Sequence, residues 1–165
     1  MAEVLIVPYD SEYKEDLKRL SYEWLKKYVS VEPEDERIIN NPEEVVLNCG
    51  GFIFFAKYKK EIVGTVSLIK LDGQNAFELA KLAVTEKYQG LKIGRRLMEK
   101  CLEVVKLEGA NKIILYTNQK LTAAIELYKK FGFSFVSLDD DKYLEADLKM
   151  ELEIKNPIIE NWNPS

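Results

Sequence analysis

The 165-residue sequence contains no histidine. That absence removes Ser-His-Asp and Cys-His catalysis, and with it the commonest zinc ligand. Proton transfer falls to Glu, Asp, Lys, Tyr, Cys or water, and no metal is expected. Two cysteines, Cys49 and Cys101, are too few for a disulfide framework. A reducing, cytoplasmic location is the default expectation. No apolar run reaches the roughly 18 residues of a membrane span. The start, MAEVLIVPYD, has neither a basic n-region nor a long apolar stretch, so it does not read as a signal peptide. Charge of one sign is also scarce: 32% of residues are charged, mixed in sign, with a net charge of -4. That balance points to neither nucleic acid nor a membrane surface as a partner. Internal repeats and low-complexity stretches are absent.

What is present is enough apolar material for a core. Apolar residues make up 47% and aromatic residues 11%, which suffices for one ordinary domain. Residues 1–154 read as that domain. Residues 155–165, with Pro157, Pro164 and several Asn, read as a loosely ordered tail.

Glu3–Val7 is a short apolar run ended by Pro8 and predicts a strand. Ser11 is placed to cap the helix that follows. Tyr13, Leu17, Leu20, Trp24, Leu25 and Tyr28 recur at helical spacing and give it one apolar stripe. Pro33 and Pro42 bound an irregular or helical stretch, with a further helix over Pro42–Leu47. Phe52–Tyr58 and Ile62–Leu71 are β-rich and flank Lys59-Lys60-Glu61, a hairpin pattern. Asp72-Gly73 supplies another turn before a strand over Asn75–Val84. Leu91–Glu108 predicts a helix with Gly109 just past its end. Lys112–Tyr116 reads as a buried strand, Leu121–Phe131 as a helix stopped at Gly132, and Phe133–Val136 as a strand. In Asp147–Glu153 apolar and charged residues alternate, which predicts a half-solvated strand. The result is a mixed α/β layer, mostly antiparallel, with one strand–helix–strand crossover in its second half.

The segment Leu82 to Arg96 carries the chemistry. A strand runs into a glycine-containing turn that opens a helix. Free backbone N–H groups and the dipole at a helix start bind phosphate oxygens, and glycine lets a bulky anion approach the backbone. Arg95 and Arg96 in the first turn oppose the dipole unless an anion sits there. A plain helix start with two solvated arginines is the alternative. No Gly-Lys-Ser/Thr follows, so this is not a Walker loop, and Gly90 and Gly94 are wrongly spaced for a dinucleotide fingerprint.

Gln89-Gly90-Leu91-Lys92-Ile93-Gly94 resembles the Gln/Arg-x-x-Gly-x-Gly/Ala signature of the GCN5-related N-acetyltransferase (GNAT) family. Leu127-Tyr128-Lys129-Lys130-Phe131-Gly132-Phe133, about 40 residues later, resembles that family's Leu-Tyr-x-x-x-Gly-Phe motif. Glu78–Val84 resembles the strand before the first motif. The order of elements matches over roughly the whole chain. One departure stands out: Lys92 occupies the position of the signature's middle glycine.

The resemblance implies a sheet split between the fourth strand and the fifth, Lys112–Tyr116, with flanking helices. It implies acetyl-CoA as cosubstrate and an amine as acceptor. Gln89, Gly90, Leu91, Lys92, Ile93, Gly94 and Arg95 would wrap the pyrophosphate. The backbone of Leu82, Ala83 and Val84 would pair with the pantetheine amides, and an N–H near Leu82 would face the thioester oxygen. Asn118, just past a strand end, would touch CoA, although as a turn cap it needs no ligand. Transfer would be direct, with Tyr128 protonating the CoA thiolate. A core ring is the alternative for Tyr128. Glu78 would accept the amine proton, directly or through water, and otherwise is a solvated strand carboxylate. Cys101 fits core packing, and Cys49 lies in a loop before Gly50-Gly51.

Two further readings stay open at this point. One is a CoA-binding sensor or interaction module without turnover, for which Lys92 argues and against which Tyr128 argues. The other is a small α/β protein whose glycine turn only starts a helix. The acceptor pocket falls in the unpatterned Trp24–Cys49 region, where mild acidity favours a cationic amine. The Asp147–Glu153 strand and the Trp162 tail are candidate surfaces for a homodimer.

Overall fold

The computed structural model describes residues 3–155. The expected tail therefore lies outside the described residues, Lys155 excepted. The strands are β1 (Leu5–Pro8), β2 (Phe52–Tyr58), β3 (Glu61–Lys70), β4 (Ala76–Val84), β5 (Lys112–Thr117), β6 (Ser134–Val136) and β7 (Leu148–Glu153). The helices are α1 (Lys14–Tyr28), α2 (Pro33–Asn40), α3 (Pro42–Val45), α4 (Ile93–Leu107) and α5 (Thr122–Lys130). They form one sheet in the order β1-β2-β3-β4-β5-β7-β6. Every neighbouring pair is antiparallel except β4–β5, which is parallel.

Local chemistry explains most boundaries. Tyr58 pairs with Glu61, so the β2–β3 hairpin has a two-residue loop. Lys59 and Lys60 take φ of 50° and 68°, as a primed turn with the sheet's own twist requires. Glycine or asparagine is the usual choice there, so the sequence shows the hairpin but not the left-handed type of its turn. Pro33 and Pro42 stand in the first turns of α2 and α3. The expectation for Ser11 is corrected. Asp10 has the extended backbone of a cap, and its carboxylate accepts from Glu12 N at 2.9 Å. Ser11 already lies in the short 3-10 turn that leads into α1.

The sheet is covered on both faces. Along β2, Ile53 and Phe55 belong to a buried cluster with Leu17 and Leu20 of α1 and Ile38 of α2. Phe54 and Ala56 belong to the opposite cluster, with Ile93, Leu97, Met98 and Cys101 of α4. The period of two sends successive side chains to opposite layers, so β2 and β3 read as continuous apolar runs. At Gly64 an added Cβ would lie 3.0 Å from Ile93 Cγ2 and 3.2 Å from Leu97 Cδ1. The absent side chain is what lets the start of α4 press against β3.

The central pair of strands then separates. β4 and β5 are paired only from Ala76–Glu78 to Lys112–Ile114. β4 continues to Val84 and β5 to Thr117 with no further pairing between them. The expected split between the fourth and fifth strands is present. The last strand, β7, inserts between β5 and β6, so residues 137–147 form a long strap from β6 back to the centre of the sheet.

Candidate active site

The wall of the split is a β-bulge. Thr65 pairs with Ala83 and Ser67 with Ala80, so Val66 alone faces both Lys81 and Leu82. Lys81 takes φ of 57° to accommodate the extra residue. The bulge therefore falls at the residues whose backbone was expected to meet the thioester. On the β5 side, residues 79–84 of β4 carry no strand partner, so their edge is open to an extended ligand.

Beyond β4 the chain makes a short 3-10 turn, Glu86–Tyr88, and enters α4 through Gln89–Lys92. Gly90 has φ of 99° and Lys92 φ of 59°. Lys92 thus adopts the left-handed conformation natural to glycine. For lysine this costs about 1–2 kcal/mol. The first bond of the helix runs from Arg96 N to Lys92 O at 3.1 Å. The preceding N–H groups of α4 are those a helix start offers to an anion.

A cleft of about 650 Å³ opens here. Leu82, Val84, Gln89, Gly90, Lys92, Ile93, Gly94 and Arg95 line it from one side. Lys120, Thr122 and Lys130, which carried no signal in the sequence, line the other. Leu91 is 46% exposed and is not among the lining residues, and Ala83 faces the opposite cavity. Arg95 is turned toward solvent and pairs with Glu99 at 3.2 Å.

A smaller cavity of about 110 Å³ lies on the other side of the split. Leu82, Leu121, Trp24 and Tyr128 line both spaces, so the ring of Tyr128 stands where the two meet. Tyr128 is 8% exposed, and its ring packs at 5.9 Å from that of Phe133. Burial pushes its phenol up to about 12. Asn118 lines the small cavity rather than the cleft. Its amide donates to Glu145 O at 2.6 Å and its oxygen accepts from Lys120 N at 2.9 Å, the bonds of a turn cap.

Glu78 is 1% exposed, not a solvated strand carboxylate. It lines the small cavity, and both its oxygens are occupied by the strap. Lys142 Nζ pairs with Oε1, and Tyr143 donates its hydroxyl to Oε2 at 2.9 Å. Burial, and then the negative charge of Glu78, holds the Tyr143 phenol far above its ordinary range. On the cavity floor Lys81 pairs with Asp35 of α2, and Lys81 Nζ lies 5.3 Å from the Tyr143 ring centroid. Glu32 accepts from the backbone N–H groups of Leu144 and Glu145, and Glu145 accepts from Ser30 N and Oγ. Tyr116 donates to Asp140 at 2.8 Å. The strap is thus tied to α2, β4 and β5. Glu34, which with Glu32 follows the first helix, instead pairs with Arg37 on its own helix. Among the described residues, no group of three His, Cys, Asp or Glu side chains is disposed to hold a metal ion. No described helix is long and apolar enough to cross a membrane.

Comparison with known proteins agrees with this geometry. A profile of the acetyltransferase (GNAT) family matches residues 12–133. N-alpha-acetyltransferase 30 of Schizosaccharomyces pombe is 30% identical over 134 residues, covering 79% of this chain and 83% of that protein. Uncharacterized N-acetyltransferases of Dictyostelium discoideum and Bacillus subtilis are 39% and 31% identical over 34% and 69% of this chain, which spans only 26% and 46% of their length. A GNAT-family acetyltransferase of Staphylococcus aureus Mu50 superposes with a TM-score of 0.81 at 28% identity, over 93% of this chain and all of that one. The PaiA N-acetyltransferase of Thermoplasma acidophilum, solved in complex with coenzyme A, shares the fold with a TM-score of 0.71 at 20% identity, over 92% of this chain and 99% of that one.

Proposed function

Since the chain belongs to the acetyltransferase (GNAT) family, we propose that it moves an acetyl group from acetyl-CoA directly to a primary amine. The observation that carries this reading is the continuity of the site. A helix start of the kind that can receive an anion, an open strand edge with a bulge, and a second, smaller cavity meet at one phenol, Tyr128.

In this reading the pyrophosphate lies on the Gln89–Arg95 loop, with Lys120 and Lys130 across the cleft. Pantetheine follows the unpartnered edge of β4. The thioester reaches the bulge at Lys81–Leu82, and the amine comes from the small cavity. The amine nitrogen attacks the thioester carbon, a C–N bond forms and the C–S bond breaks. Glu78 takes the proton lost by the amine, and Tyr128 gives its proton to the departing thiolate. A phenol near 12 is a weak acid against a thiol of ordinary pKa ~8.5. The burial that raises the phenol also raises a thiolate formed beside it, which keeps the transfer feasible.

Acetyl-CoA is the cosubstrate and an amine the acceptor. Two free cysteines, one exposed and one buried, suit a reducing cytoplasm. The coenzyme A complex of the Thermoplasma acidophilum PaiA protein supports the cofactor assignment by likeness of fold. Lys92, the feature that favoured a sensor without turnover, holds a glycine-like backbone and so supports no such reading.

The test is thermal unfolding with acetyl-CoA. A ligand bound only by the folded chain at 100 times its Kd stabilises it by about 2.7 kcal/mol, read as a rise in Tm. An unchanged Tm at millimolar acetyl-CoA would refute the proposal.

A further inference from the structure

The amine that the proposed base contacts in this structure belongs to the protein itself. Lys142 Nζ sits on Glu78 Oε1, the position an acceptor ammonium reaches if Glu78 is to take its proton directly. We infer that the acceptor is an unbranched primary alkylammonium that binds by displacing the Lys142 ammonium from Glu78, an inference that rests on the acetyl-transfer reading above.

The surroundings of the two ion pairs separate what can exchange from what cannot. Lys81 and Asp35 keep 8% and 4% of their side chains exposed, so neither partner has water to move into. Lys142 keeps 27% exposed while Glu78 keeps 2%. The lysine can therefore swing out, but the carboxylate cannot follow. A buried carboxylate stripped of its cation is costly, so Lys142 leaves only as another cation arrives. The exchange swaps one ammonium for another and leaves the charge of the site unchanged.

The rest of the strap need not move. Leu144 and Glu145 are held by Glu32, Glu145 by Ser30, and Asp140 by Tyr116, none of which involves the Lys142 amine. Tyr143 stays as donor to the second oxygen of Glu78 and fixes its direction. The chemical class follows from the present occupant and the walls. Lys142, which is not part of the cavity lining, brings a straight alkyl chain with a terminal ammonium to Glu78, and an acceptor of the same kind entering from the cavity suits walls formed by Trp24, Leu25, Tyr116 and Leu121. The cavity lining also carries four carboxylates, Glu32, Asp35, Glu78 and Glu145, against Lys81 as the one cationic residue. That excess draws in cations and opposes an acceptor carboxylate.

The test is calorimetric titration of n-butylammonium into the free protein, which needs no acetyl-CoA and no turnover. Removing the competitor by Lys142→Met should tighten binding at least tenfold, and Lys142→Gln should act in the same direction. Glu78→Gln should weaken it at least tenfold. Alaninamide, whose ammonium stands on a branched carbon, should bind more weakly than n-butylammonium to the unaltered protein. Unchanged or weaker n-butylammonium binding in both Lys142 variants would overturn the inference, as would tighter binding of alaninamide or no binding of n-butylammonium to any form. None of these results depends on acetyl-CoA, whose effect on Tm tests the acetyl-transfer reading separately.

Discussion

Lys81 and Asp35 form an ion pair in the lining of the smaller cavity, with only 8% and 4% of their side chains exposed. The lysine belongs to the β4 bulge and the aspartate to α2, where Asp35 Oδ2 also accepts from Glu32 N at 2.9 Å in a capping box. One carboxylate thus joins a helix start to the bulged strand at the β4–β5 split. Asp35→Ala strands a buried ammonium and should cost about 3–5 kcal/mol in urea unfolding. Pairing it with Lys81→Met should restore most of that loss, because two apolar groups replace two charges. A single variant as stable as the parent would show that the pair holds nothing together.

Tyr128 is assigned the acid role by its position between the two cavities. Tyr128→Phe should lower kcat about 100-fold or more, with acetyl-CoA affinity little changed. Because burial holds the phenol near 12, it keeps its proton at every ordinary assay pH. The kcat profile should therefore show no alkaline fall owed to this group below about pH 11. An unchanged kcat in the variant would remove the acid role.

The same raised phenol makes stability sensitive to alkali. Tyr128 titrates at about 12 in the folded chain and near 10 when unfolded. Between those values the folded chain binds more protons than the unfolded one, so stability falls as pH rises. Its share is fully present below about pH 10 and shrinks by about 1.4 kcal/mol per pH unit above it. Tyr143, whose phenol burial also raises, adds a fall of the same sign. Urea unfolding at pH 9, 10 and 11 should show the decline, shallower in Tyr128→Phe. Parallel declines in the two proteins would contradict the assignment.

The loop that opens α4 contains two left-handed residues, Gly90 at φ of 99° and Lys92 at 59°. Space is not the constraint at Gly90, since an added Cβ would meet nothing within 4 Å. Backbone strain is. Gly90→Val should destabilise the fold by about 1–3 kcal/mol and weaken acetyl-CoA binding at least tenfold. Lys92→Gly removes the lysine's strain and adds freedom to the unfolded chain, so stability should change by less than about 1 kcal/mol. Equal losses in the two variants would mean that residue size, not backbone shape, forms the loop.

One wall of the candidate cofactor cleft was legible because it is local. Leu82 to Arg95 are contiguous, and strand, turn and helix start each carry their own residue signals. Tyr128 was legible through a second local motif. The acceptor half was not. Glu78 meets Lys142 and Tyr143 across 64 and 65 positions, and Asp35 meets Lys81 across 46. The Glu78 contacts come from the strap that returns to place β7 between β5 and β6, and the Asp35 contact from α2 packing on the β4 bulge, neither of which any periodicity announces. The bulge was equally silent, because its left-handed residue is a lysine. Lys59, Lys60 and Lys92 show the same difficulty: positive φ was held by a residue type that does not advertise it.

The central claim is direct acetyl transfer at the β4–β5 split, and single-turnover transfer of a labelled acetyl group tests it most directly. Acetyl-CoA carrying the label is mixed with excess protein and a panel of primary amines, and label and free thiol are followed together. The account predicts that label enters an amine at the rate at which CoA thiol appears, with none retained on the protein. Label that stays in protein-bound acetyl-CoA with every amine, or that accumulates on the protein before reaching an amine, would contradict it.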